Sequence, residues 1–135
     1  MPENLWGELP LSTPIRTPTV ILQEQANTLT ELTKGVLVGR VQQSTAGPNF
    51  QSTLLIVAPS LNNYSYSVVS IQHPITLYPL TLIDHTVGLG VDQPDEEQFI
   101  SSLGRILSSD AIKRVVAGLM AQIGVNAEQA EPRSS

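Results

Sequence analysis

The two histidines are the residues best suited by type to move a proton, because an unperturbed imidazole titrates near neutral pH. His73 stands directly before Pro74, and His85 directly after Asp84. Catalysis at either would need a partner: an orienting acid, a nucleophile, or about three convergent ligands around a metal. The chain has neither HExxH nor a histidine pair at ligand spacing, so no metal site and no cofactor are expected. Asp92, Asp95, Glu96 and Glu97 form the one acidic cluster. Paired carboxylates can cleave glycosides, but a helix start accounts for three of the four, since its unpaired N–H groups favour negative charge.

These residues define one candidate site. His85 and Asp92, with His73 further off, would serve a small hydrolase or ligand-binding domain centred on the 84–94 connection. Gly88 and Gly90 let backbone approach a ligand there. The two histidines are expected at opposite ends of the last strand, which argues against a site shared between them.

Other nucleophile and phosphate motifs are missing. There is no GxSxG, and Ser101-Ser102 and Ser108-Ser109 fall on or beside helices. Gly88-Leu89-Gly90 has no third glycine and no following Lys-Ser or Lys-Thr. Without cysteine the chain has no disulfide, thiolate ligand or Cys nucleophile.

The elements that would position such residues are organised around Val41 to Ile83, which contains no Asp, Glu, Lys or Arg. Apolar and β-branched residues alternate there with Ser, Thr, Gln and Asn, as in a half-buried antiparallel sheet. Before it, Thr17 caps and Pro18 opens a helix to about Lys34, with Gly35 to end it. Leu22, Ala26, Leu29 and Thr33 make its buried stripe, widened by Ile21 and Leu32.

Strands are expected at 36–43, 50–58 and 64–73. A fourth, edge strand is expected at 75–83, because Pro74 and Pro79 bracket it and proline cannot donate to a ladder. Short connections favour a meander. A helix then starts near Pro94, with Asp92 as its cap and Phe99, Leu103 and Ile106 facing inward. Ser108-Ser109-Asp110 breaks it, and a last helix buries Ile112, Val115, Val116, Leu119 and Ile123 before Gly124.

The fold class is therefore α+β: an antiparallel meander of about four strands, one long N-terminal helix and two C-terminal helices. The expected organisation is an extended arm at 1–16, one domain at 17–125 and a flexible tail at 126–135. Trp6, Leu9 and Leu11 would pin the arm to the body.

Charge narrows the partners. At 135 residues and net charge −5, with Lys and Arg scattered, the chain has no basic stripe for nucleic acid. No run of 18 apolar residues offers a membrane span, and the first residues lack a signal-peptide pattern, so a cytoplasmic protein is expected. What remains is surface. Tyr64 and Tyr66 share one face, with Gln51 and Thr53 across from them, and tyrosine among small polar residues suits a contact surface. The expectation is a small non-catalytic protein, bacterial in type, that binds a protein partner as a homodimer or assembly subunit.

Overall fold

A computed structural model describes Leu5 and residues 16–130, excepting the side chains of 125–130. The order of elements is α1 (Pro18–Leu32), β1 (Val38–Ala46), β2 (Asn49–Ala58), a short 3-10 turn (Pro59–Leu61), β3 (Tyr64–His73), β4 (Leu80–Asp84), β5 (Leu89–Gln93), α2 (Glu96–Leu107) and α3 (Asp110–Ala130). The five strands form one antiparallel sheet in sequence order, a meander. Trp6, Leu9 and Leu11 lie outside the described residues.

The α+β meander is as the sequence implies, with one strand more. The stretch from Asp84 to Pro94 is not a bare connection. Asp84 closes a turn through its carboxylate, which accepts from Thr86 N at 2.9 Å and Thr86 Oγ1 at 2.6 Å. Gly88 follows at φ +74°, a left-handed conformation that glycine adopts without strain. The chain then returns as β5 beside β4. β4 is therefore an inner strand, shorter than 75–83, and the edges are β1 and β5. The segment between Pro74 and Pro79 stays outside the ladder, and its Tyr78–Pro79 peptide is cis.

Helix ends follow their local chemistry. Thr17 Oγ1 accepts from Val20 N at 3.2 Å, the expected cap of α1. That helix stops at Leu32, and Leu32 is 77% exposed rather than part of the stripe, while Ile21, Leu22 and Ala26 are buried. The cap of α2 is Asp95, whose Oδ1 accepts from Gln98 N at 2.8 Å. Asp92 instead belongs to β5 and accepts from Thr81 Oγ1. Ser109 Oγ accepts from Ile112 N at the start of α3, as expected of the break there. Gly124 does not stop α3, which runs to Ala130 and so into the expected tail.

All three helices lie on one side of the sheet. Thr19 on α1 reaches Ser52 on β2 at 2.8 Å, and Ser102 on α2 donates to the buried Gln93 at 3.0 Å. Leu54, Ile56, Val69, Ile71, Leu80 and Leu82 form the sheet's half of the core, closed by Ile21, Leu22, Phe99, Leu103, Ile112 and Leu119. Burying each such side chain fully contributes about 1.5–3 kcal/mol. No described helix is long and apolar enough to cross a membrane.

Candidate functional site

One irregularity in the sheet decides where the candidate surface residues go. Leu54 pairs with Val69 but Leu55 pairs with Ser67, so Val68 is an extra residue in β3. A bulge of this kind interrupts the two-residue alternation. Both Val68 and Val69 consequently join the helix-side core, with 1% and 0% exposure. Before the bulge, Tyr64 and Tyr66 pair with Ala58 and Ile56 on the helix side. After it, Gln72 and Ser70 pair with Gln51 and Thr53 on the opposite side.

The four residues expected on one surface are thus divided between two. Tyr64 and Tyr66 line a groove of about 650 Å³ against Val115, Gly118 and Leu119 of α3. Tyr66 packs on the core and Tyr64 is 52% exposed. Gln51 and Thr53 lie on the sheet face that carries none of the helices.

That helix-free face is built from cross-strand rows. Pairing places Ser44, Gln51, Gln72, Thr81 and Asp92 in one row and Gln42, Thr53, Ser70, Ile83 and Gly90 in the next. Across the five strands, about 19 Å at the usual strand spacing, the rows carry no charge before Asp92 on the last strand. Arg40 on β1 is the cation at the other edge and pairs with Leu55. Gln42, Ser44, Arg40 and Asp92 are exposed, whereas Leu55 and Val57 on this face are buried.

A hydrogen-bonded chain crosses the same face. Thr53 Oγ1 and Ser70 Oγ are 2.8 Å apart, and Ser70 Oγ lies 2.7 Å from His85 Nε2. A serine within reach of an imidazole is the first element of a nucleophile–base pair. Here it stops short of one. Ser70 is 3% exposed and already bonded to Thr53, and the neighbouring Asp84 carboxylate is bonded to Thr86. The Ser70–His85 contact escapes sequence reasoning because fifteen positions and a strand crossing separate the two residues. Only the β3–β4 register brings them together.

His73 occupies a different place. It is 5% exposed and stacks on Phe50 with ring centroids 5.7 Å apart. Its Nδ1 donates to the Pro74 carbonyl at 2.8 Å. It lines a cavity of about 580 Å³ with Thr17, Thr19, Gln43, Thr45, Phe50 and Ser52. The cavity's described lining residues include no Asp, Glu, Lys or Arg. Ser52 Oγ bonds to Thr19 rather than to the imidazole.

His73, His85 and Asp92 therefore do not converge. His73 faces the helix side, while His85 and Asp92 bond to Ser70 and Thr81 on the other. Among the described residues no group of three His, Cys, Asp or Glu is placed to hold a metal ion. The strongest electrostatic perturbation lies elsewhere. Burial, and then the charge of Glu96, pushes the Tyr78 phenol up to about 12. Comparison with family models, curated proteins and solved structures finds no match to the chain.

Proposed function

We propose that this chain is a non-catalytic protein-interaction domain that presents its helix-free sheet face to a partner. The partner is a second copy or another subunit of an assembly, in a bacterial-type cytoplasm. One observation carries the reading: a row of hydrogen-bonding side chains, Ser44, Gln51, Gln72, Thr81 and Asp92, crosses all five strands, and a second, Gln42, Thr53 and Ser70, crosses three, on a face that carries no helix among the described residues and has formal charge only at its edges. Gln42, Gln51, Thr53 and Gln72 offer donors and acceptors to a docking surface without the cost of stripping water from a full charge.

Photo-crosslinking tests the reading in its native host. A crosslinker at position 42, 51 or 72 should trap a defined protein, and one at Gln23, exposed on α1, should trap nothing comparable. Trapping only from position 23, or from neither surface, would remove the basis for the proposal.

The alternative, a small hydrolase or ligand-binding domain, draws on a different feature than its sequence motif. The 84–94 segment is largely a β-hairpin, and the cavity around His73, about 580 Å³, is larger than the one beside that hairpin, about 380 Å³. The Thr, Gln and Ser side chains of the His73 cavity suit a small ligand that forms hydrogen bonds without carrying a formal charge. Chemical-shift changes of Phe50 and Thr19 on titration with phenol, absent in His73→Phe, would favour this alternative.

A further inference from the structure

We propose that two copies of this chain pair through the free edges of β5, antiparallel across a two-fold axis, so that one sheet continues into the other. This rests on the reading of the chain as an interaction protein and names its self-contact surface.

Among the described residues the meander leaves two free edges, β1 and β5. On an edge strand alternate residues turn N–H and C=O outward, and another strand satisfies that row directly. The two edges differ in what accompanies the backbone. On β1, Arg40, Gln42, Gln43, Ser44 and Thr45 are exposed, a polar and partly charged edge that stays hydrated. On β5, Leu89 is 64% and Val91 58% exposed, and Val87 in the adjoining turn is 61% exposed. Leu89 and Val91 pair with Asp84 and Leu82, and they line a shallow cavity with Ile106 of α2. Among the described residues, unpaired backbone and exposed apolar side chains therefore coincide at one edge.

The occupant follows from what each edge could meet. Joining β5 to the β1 of another copy would set Leu89 and Val91 beside polar side chains, and it would repeat without closing. Joining β5 to β5 sets apolar against apolar and closes after two copies. Charge agrees. Asp92 is the one charged residue of the strand. A two-fold centred at Gly90 places it across from Gly88, and one centred at Val91 places it across from Gly90. Either way the two Asp92 carboxylates do not face each other. The contact is short, five residues a side. It falls below the roughly 1,200 Å² of stable complexes, so a weak dimer, half-formed at tens of micromolar, is expected.

Sedimentation velocity on the full chain tests this, over roughly 1–300 µM so as to bracket an affinity of that order. The wild type should move from monomer to dimer across the range. Val91→Lys and Leu89→Lys, each at an exposed position, should weaken dimerisation at least about tenfold with unchanged circular dichroism, because a lysine guards an edge. Gln43→Lys, at an exposed helix-side position of β1, should dimerise as the wild type does. A wild type that stays monomeric throughout, a Val91→Lys dimer of undiminished strength, or dissociation by Gln43→Lys would each overturn the proposal. The open-face crosslinks, read in the Val91→Lys protein, make loss of the partner and loss of the dimer separate results.

Discussion

Gly39 on β1 lies against the backbone of Ala26 on α1. A β-carbon at Gly39 would overlap the Ala26 carbonyl oxygen, Cα and carbonyl carbon. The approach is held by hydrogen bonds: Gly39 N donates to Thr30 Oγ1 at 2.9 Å, and Thr30 Oγ1 donates to the Ala26 carbonyl at 3.1 Å. Helix and strand are thus joined where neither residue has a side chain larger than a methyl. Since the atoms in the way are backbone, no rotamer change can relieve an added methyl. Gly39→Ala should cost about 3 kcal/mol, the upper end of overpacking penalties. Gly104, in α2 with open space around it, gives the control. Gly104→Ala should add about 0.5–1 kcal/mol. Urea unfolding of the two variants measures both.

Regular periodicity was legible in the sequence; its interruptions were not. The stripe Ile21, Leu22 and Ala26, the buried Phe99 and Leu103, and the alternation through β2 and β3 place helices and strands closely. The β5 strand escaped because Gly88 and Gly90 read as a connection, although here Gly88 ends a tight turn and Gly90 lies within a strand. The candidate surface was half legible. A polar sheet face is implied by composition, but its membership depends on the bulge at Val68. Nothing in Ser67-Val68-Val69-Ser70 marks which valine is the extra residue.

The same bulge separates the roles of the two tyrosines. Tyr66 packs on the helix-side core, so Tyr66→Ala should lose about 2 kcal/mol of stability through the cavity it leaves. It is therefore a poor probe of association on its own. Tyr64 is 52% exposed, and Tyr64→Ala should stay within about 0.5 kcal/mol of the wild type. Equal losses in thermal unfolding would contradict the placement of the bulge.

Capping distinguishes the acidic residues at the β5–α2 junction. Asp95 Oδ1 takes the Gln98 N–H, so Asp95→Ala should cost about 1 kcal/mol. Asp92, itself exposed, accepts from Thr81 Oγ1 on the neighbouring strand and caps no helix. Asp92→Ala should cost no more than about 0.5 kcal/mol. The reverse order in a denaturant series would place the helix start at Asp92 instead.

Tyr78 supplies a pH dependence whose sign can be worked out. Its hydroxyl is buried without a hydrogen-bond partner among the described residues. Burial, then the nearby Glu96 carboxylate, raises its pKa from 10.0 to about 12, since both oppose a phenolate. The unfolded chain releases this proton near its ordinary value of about 10. Between those two values the native state binds more protons than the unfolded state, so stability falls as pH rises through the window. Below it, Tyr78 contributes no slope. Tyr78→Phe removes the slope together with the unsatisfied hydroxyl, and removing a buried polar atom that lacks a partner should stabilise the fold by about 1 kcal/mol at neutral pH. Urea midpoints measured at neutral pH and at several points between the two pKa values should show the variant ahead at the first and further ahead at each later one. A variant less stable than the wild type at neutral pH would mean that the hydroxyl has a bonding partner in solution.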